Sequence, residues 1–177
     1  YEMQRSLVGS EMCIRDSFTE DWPEARRVNH ITKEMVCNAP YIYELLPRLN
    51  QVLAQVKTIV GYNFTGFDNG FLTRYGASFN DETIVEDLSN IFAAIYGEFS
   101  PKHGDFKFKN LSTCADYFGY DWGEETAHNS LADCRATAFC YQKALEEKYQ
   151  ALYQENIHKR DCGFFDENYD ACGDYNG

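Results

Sequence analysis

The chain has 177 residues, of which 44% are hydrophobic and 16% aromatic, enough for one folded domain and too apolar for an intrinsically disordered protein. Its net charge of −12 excludes nucleic-acid binding through a broad basic surface, because such a protein repels phosphates. No uncharged stretch approaches the roughly 20 residues of a membrane-spanning helix, so we expect no contact with a membrane. A phosphate-bearing substrate could still bind locally if metal ions lay between it and the protein's carboxylates.

The cysteines favour a reducing compartment. There are seven of them, an odd number, no two are spaced as Cys-x-x-Cys, and the sequence shows no secretory-signal pattern. We therefore predict a cytoplasmic protein with free thiols. A zinc-binding interaction domain using His158, Cys162 and Cys172 is an alternative, but their spacing matches no zinc pattern well.

The first 17 residues, 1–17, show neither helical nor strand periodicity. Their string SLVGSEMCIRDS resembles a translated sequencing adaptor, so we interpret the segment as non-native. An ordinary disordered N-terminus is the alternative. Since the sequence starts at Tyr1 and not at Met, we expect a fragment of a longer protein.

The next part of the chain has the patterns of a folded protein. Residues 18–30 contain Pro23 and predict a loop, and Ile31–Cys37 predicts a short helical turn. A helix follows, because apolar residues recur at intervals of three and four: Ile42, Leu45, Leu46, Leu49, Val52, Leu53 and Val56. We place its start near Tyr43, so that the N–H missing from Pro47 falls among the unpaired donors of the first turn.

Two β-rich runs, Thr58–Asn63 and Thr83–Val85, predict short strands, and the first of them reads as buried. Between them, Asp68–Tyr75 predicts a helix that Gly76 stops. Three more helices follow: one through Leu88 and Ile95 ended by Gly97, one over Leu111–Tyr117 ended by Gly119, and the longest over Ser130–Ala151. The segments Glu98–Lys109 and Tyr120–Ala127 predict loops.

Alternating helices and strands predict an α/β fold. Only two or three strands appear beside five helices, which is too few for a complete sheet. We therefore expect that strands are missing at the N-terminal end.

The first candidate for chemistry is Asn63–Asp68, where a predicted strand ends and a helix starts. In α/β sheets ligands bind at the carboxyl ends of the strands, which is where Asp68 would lie. The alternative is that Asp68 only caps its helix.

The second candidate is His128–Asp133, where a loop enters the longest predicted helix. If that helix starts near Ser130, Asp133 lies in its first turn and His128 just before it, so the two side chains can reach one point beyond the helix end. The alternative is a first-turn acid, favoured by the helix dipole, beside an exposed loop histidine.

Taken together, the two segments resemble one family. VGYNFTGFDNGFL is similar to the second motif of the DEDDh 3′–5′ exonucleases, which include the proofreading epsilon subunit of bacterial DNA polymerase III. HNSLADCRAT is similar to the third motif, in which His and Asp lie five apart. The stretch HITKEMVCNAPYIYELLPRL resembles the family's sequence between its first and second motifs. The resemblance runs from about Phe18 to Lys148.

This resemblance implies a ribonuclease H-like three-layer fold and hydrolysis of phosphodiesters at a site of two Mg²⁺ or Mn²⁺ ions. It implies that Asp68 and Asp133 bind metal and that His128 is the general base. It also implies that Asn63 and Phe67 contact the substrate, the 3′ end of a single-stranded nucleic acid, and it leaves open a polymerase subunit as partner. We assign residues 18–155 to a partial exonuclease domain and 156–177 to an acidic tail.

The sequence departs from the family at the first motif, Asp-x-Glu, which is absent. The acids Glu20, Asp21 and Glu24 occur there, but in a segment with Pro23 and not in an apolar strand. Because that motif supplies half of the family's carboxylates, we expect this chain to be inactive. The alternative function is a non-catalytic module that binds nucleic-acid ends.

Overall fold

The computed structural model describes residues 39–123 and 130–165, together with Arg27 and Thr32. The loop and helical turn predicted before residue 38 lie almost wholly outside these residues, as does the segment 1–17. The first described helix, α1, covers Ile42–Leu53. It begins with a reciprocal pair of bonds, in which the Glu44 amide donates to the Tyr41 carbonyl (2.9 Å) and the Tyr41 amide donates to the Glu44 carboxylate (2.7 Å).

Helix α1 differs from its prediction at both ends. It starts at Ile42 and stops at Leu53, so Val56 lies beyond it. Pro47 is consequently an interior residue of the helix and not part of its first turn. The Tyr43 carbonyl therefore lacks the N–H that would come from position 47.

Two parallel strands form the sheet that carries the site. Strand β1 covers Thr58–Gly61 and strand β2 covers Ile84–Asp87, and their last residues, Gly61 and Asp87, are paired. Helix α2, Asp68–Arg74, connects them. The prediction of a buried first strand is wrong, since Thr58 is exposed and the rest of β1 is only half-buried. Within the described part of the chain β1 pairs with β2 alone, which leaves one edge of each strand uncovered.

Two helices end as the sequence predicts. Helix α3 covers Leu88–Tyr96 and helix α4 covers Leu111–Phe118, and each is followed by a glycine in the left-handed conformation, Gly97 (φ 75°) and Gly119 (φ 74°). Glycine takes that conformation without the steric cost that a Cβ would impose.

The segment between α3 and α4 is not a simple loop. Strand β3, Phe99–Ser100, pairs antiparallel with strand β4, Asp105–Phe106, and the rings of Phe99 and Phe106 meet edge to face at 5.8 Å. The prediction of a loop over this whole segment is therefore wrong, because it contains two paired strands joined by a four-residue turn.

The longest predicted helix is two helices. Helix α5 covers Ser130–Ala144 and helix α6 covers Glu147–Asp161, so α6 continues past residue 155. Glu146 breaks the helical path with an extended backbone (ψ 141°), and its carboxylate pairs with Lys143 and Lys148. The side chain of Gln150 donates to the Ala144 carbonyl (2.7 Å), which replaces a helical bond lost at the break.

The core lies between α3, α4 and α5. Its buried residues are Leu88, Phe92, Ile95, Cys114, Ala115, Phe118, Cys140 and Ala144. Helix α6 packs on the other face of α3, where Ala93, Ala94 and Phe106 form a smaller cluster. The protein is thus a mixed α/β structure with a small parallel sheet, whose first strand packs against α5.

None of the helices described is both long and apolar enough to cross a bilayer.

Candidate active site

The carboxyl ends of β1 and β2 lie side by side, because the strands are parallel and in register to their last residues. The chain leaves β1 through a tight loop, residues 62–67, and enters α2 at Asp68. At the end of β2, Asp87 is both the last strand residue and the N-cap of α3. This edge is where α/β proteins bind their ligands.

The loop after β1 is fixed by its own backbone. Asn63 has the left-handed conformation (φ 57°), which is uncommon for a residue other than glycine. The Phe67 amide donates to the Asn63 carbonyl (3.1 Å), and the Asn69 amide donates to the Phe64 carbonyl (2.9 Å). The side chain of Phe64 is buried and anchors the loop to the protein.

Asp87 holds the same loop from the neighbouring strand. Its carboxylate accepts bonds from the amides of Asn63 (2.8 Å) and Thr65 (3.0 Å). It also accepts from the amide (3.1 Å) and hydroxyl (2.7 Å) of Ser89. Burial by itself would raise the pKa of Asp87, but these hydrogen bonds outweigh it and hold the pKa below its usual value.

Sequence reasoning missed Asp87. The available signal was an acid between a β-rich run and a helix whose second residue is serine, but that pattern indicates no more than a helix cap.

Asp68 is the first residue of α2 and is exposed as a residue, although surrounding protein atoms partly desolvate its carboxyl group. Asp68 does not occupy the N-cap position, which is that of Phe67, and the Phe67 side chain makes no capping bond. Desolvation raises the pKa of the Asp68 carboxyl, and the negative charge of Asp87 raises it further, while a bond from its own amide lowers it. Phe67, beside it, is 72% exposed.

Asp133 lies in the first turn of α5, as predicted, and is half-buried. Next to it, the pKa of the Cys134 thiol is raised by burial and by the charges of Asp133 and Asp68. Both carboxylates therefore lie within electrostatic range of one thiol. That Asp68 and Asp133 share a metal ion stays a prediction.

The other predicted site residues have separate outcomes. Asn63 is exposed, with its side-chain oxygen packed towards Gly66. His128 lies outside the described residues. The thiol of Cys162 lies 3.7 Å from a ring nitrogen of His158, one turn away on α6, whereas Cys172 is also outside the described residues. Two ligands are fewer than the four of a structural zinc site.

The carboxylates fit a magnesium or manganese site in kind, since hard oxygen atoms are the ligands these ions prefer. In number the described residues are too few by themselves: across residues 39–123 and 130–165, no three His, Cys, Asp or Glu side chains are grouped closely enough to hold an ion. The described residues contain Asp68 and Asp133, the two acids predicted to bind metal.

Comparison with protein families identifies an exonuclease family. The RNase_T family model, described as exonuclease, matches residues 15–141, which is more than two thirds of the chain and contains both candidate segments. Searches of curated proteins and of solved structures found no significant match.

Proposed function

Because the chain belongs to the RNase_T exonuclease family, we propose that its site serves metal-dependent removal of nucleotides from the 3′ end of DNA or RNA. The observations that support this most are the electrostatic effect of both Asp68 and Asp133 on the Cys134 thiol and the position of Asp68 after β1, at the carboxyl edge of the β1–β2 sheet. A nuclease needs carboxylates at such a position to hold divalent ions beside the phosphodiester.

Each residue of the proposed site has a distinct task. Divalent ions, when bound, would polarise the phosphodiester and favour ionisation of the attacking water. Asp68 and Asp133 would hold the ions with their carboxylate oxygens. His128 would accept the proton of the attacking water, since an imidazole titrates near neutral pH.

Phe67 and Asn63 would bind the end of the strand. Phe67 is largely exposed directly before Asp68, where its ring can stack on a base without reading its identity. Asn63 presents an exposed side chain from the same loop. A single-stranded 3′ end is the substrate that such a surface suits, because its bases are free to stack.

The ions would also resolve the charge problem of the molecule. A protein with a net charge of −12 repels nucleic acid, and divalent ions would supply the local positive field that the chain lacks. We therefore expect nucleic-acid binding only when the ions are present.

The finer assignment within the family rests on the motifs. The five-residue spacing of His128 and Asp133 supports the DEDDh group, and with it a ribonuclease H-like fold and likeness to the epsilon subunit of DNA polymerase III. A polymerase subunit as partner and a cytoplasmic location are further parts of this proposal.

We expect slow or no turnover from the chain as written. Its sequence contains no Asp-x-Glu, and the described residues form no group of three metal ligands. With two carboxylates, the ions would be weakly held and poorly positioned. The same observations favour the second candidate function, a module that binds 3′ ends without cleaving them.

The test uses a 5′-labelled single-stranded oligonucleotide and a circular control of the same sequence, which has no 3′ end. In Mn²⁺ the chain should bind the linear form more tightly, EDTA should abolish that preference, and Asp133→Ala should lose it. Equal binding of both forms, or no effect of Mn²⁺, would contradict the proposed function. Stepwise shortening from the 3′ end that disappears in Asp133→Ala would support the enzyme and overturn our expectation of low turnover.

A further inference from the structure

The carboxylate of Asp87 is buried, at 8% exposure, yet it lies at the edge of the sheet where the proposed site forms. It bonds in two directions. The amides of Asn63 and Thr65, 24 and 22 residues away in the sequence, bond it on the side of the loop, and Ser89 bonds it on the side of α3.

These bonds leave Asp87 little capacity to bind an ion. Oδ1 of Asp87 accepts three hydrogen bonds, one from Asn63 and two from Ser89, while Oδ2 accepts one from Thr65, so only Oδ2 keeps a free lone pair. Asp68, by contrast, is exposed and receives a bond from its own amide. Asp87 and Asp68 are thus two acids at one edge of the sheet with different capacities for a ligand.

The loop that Asp87 holds leads directly to Asp68. Asn63 and Thr65 are bonded to Asp87, while the carbonyls of Asn63 and Phe64 accept the amides of Phe67 and Asn69. Those last two residues flank Asp68 in the sequence. An unbroken series of hydrogen bonds therefore runs from the end of β2 to the first turn of α2.

The loop also has a partner outside itself. Asn63 has a positive φ of 57°, a conformation that costs some free energy even for asparagine, which adopts it more readily than most residues with a side chain. Charge-assisted bonds from its amide and from that of Thr65 to a buried carboxylate offset this cost.

We propose that Asp87 is a positioning residue, which holds the loop between β1 and α2 in the one conformation that directs the Asp68 carboxylate to the ligand edge of the sheet. The part concerning the ligand rests on the proposed function, whereas the part concerning the loop rests on the hydrogen bonds alone. The competing explanation is that Asp87 only caps α3 through Ser89.

Three variants separate these explanations. Asp87→Asn keeps the size of the side chain but replaces one carboxylate oxygen atom with an NH₂ group, which cannot accept a hydrogen bond. Because Asn63 and Ser89 both bond Oδ1, we expect the replaced atom to be Oδ2, which accepts from the Thr65 amide. Ser89→Ala removes only a bond on the α3 side. Glu86→Gln is the matched control, because it removes a charge one residue away on β2, from a side chain that bonds Tyr141 and not the loop.

The first measurement is amide hydrogen exchange. Asp87→Asn should speed exchange at Thr65 and Asn69 by roughly 10- to 100-fold, the equilibrium effect of losing a bond to a charged acceptor. The amide of Phe92, in the core of α3, should change much less. Ser89→Ala and Glu86→Gln should leave Thr65 and Asn69 near their original rates.

The second measurement is Mn²⁺ affinity, followed by broadening of the Asp68 amide resonance. Asp87→Asn should weaken it and Glu86→Gln should not. If exchange rises equally at Thr65, Asn69 and Phe92, Asp87 is only a cap and the proposal is wrong. It is also wrong if the loop loosens while Mn²⁺ affinity at Asp68 stays unchanged. Should the original chain bind no Mn²⁺, the proposed function fails, while a selective exchange effect would still support the positioning of the loop.

Discussion

At the scale of single residues, the edge of the β1–β2 sheet shows how surroundings divide roles between identical side chains. Asp87 is buried, but its hydrogen bonds hold its pKa below the usual value, so it remains charged. Asp68 has a raised pKa, caused by desolvation and by the charge of Asp87. An acid that the protein does not stabilise in its charged form gains from a cation, which is consistent with the metal-binding role we propose for it.

The raised pKa of Asp68 predicts that its negative charge lowers the stability of the fold. Its pKa is higher in the folded than in the unfolded chain, so ionisation of Asp68 destabilises the fold as the pH rises above the unfolded value of about 3.9. Asp68→Asn should therefore raise the melting temperature at pH 7, and the gain should shrink towards pH 4. Thermal unfolding at a series of pH values measures this, with the exposed Asp81→Asn as control. A gain that grows on acidification would contradict the explanation.

Asp68 and Asp133 could be predicted from the sequence as first-turn acids, because short patterns place them at helix starts. The contact of Asp87 with the loop after β1 could not be predicted from the sequence. Its loop partners, Asn63 and Thr65, are more than 20 residues away, and no local pattern encodes a bond between them.

At the scale of secondary structure, local signals decide which predictions succeed. Helices α3 and α4 end at Gly97 and Gly119 as predicted, because a left-handed glycine is a local stop signal. The break before α6 has no such signal, since the sequence there, KALEEK, favours a helix throughout. Beyond the break, α6 packs against α3, a long-range contact that no local pattern contains. The β3–β4 pair escaped prediction because two-residue strands are too short to show periodicity.

Helix α1 carries a defect that can be removed. Pro47→Ala restores an N–H for the Tyr43 carbonyl in the helix interior, so it should stabilise the protein. Proline costs about 3 kcal/mol in a helix interior but also restricts the unfolded chain, so we expect a net gain of roughly 1–2 kcal/mol. Urea denaturation measures the change, with the exposed Gln51→Ala as control. A loss of stability would mean that α1 depends on the shape that Pro47 gives it.

At the scale of the whole molecule, the proposed site lies at the margin of the packed core, since Asp87 directly precedes the core residue Leu88. The core is formed by α3, α4 and α5, whereas the site lies at the end of a sheet that has only two strands in the described residues. Residues Ile84 and Val85 of β2 are 58% and 42% exposed. The helices therefore contribute most of the stability, while the sheet positions the residues of the proposed site.

This division predicts where a large loss of stability will occur. Phe92 is fully buried and its ring contacts those of Tyr96, Tyr117 and Phe118 at 5.3–5.6 Å. Phe92→Ala should cost about 3–5 kcal/mol through lost burial and a cavity. Removing the exposed ring in Tyr43→Ala should cost far less. Urea denaturation measures the unfolding free energy of both variants. Similar losses in the two would contradict the assignment of Phe92 to the stabilising core.

The central claim is that Asp68 and Asp133 bind one group of divalent ions. Mn²⁺ titration followed by amide NMR tests it directly, because a bound paramagnetic ion broadens the resonances around it. We predict broadening centred on the first turns of α2 and α5. Either Asp68→Asn or Asp133→Asn should lower the Mn²⁺ affinity at least tenfold, since each removes a charged ligand. His128→Ala should leave it largely intact, because a general base is not a ligand. Broadening confined to the acidic residues after Asp161, or unchanged in Asp133→Asn, would contradict the claim.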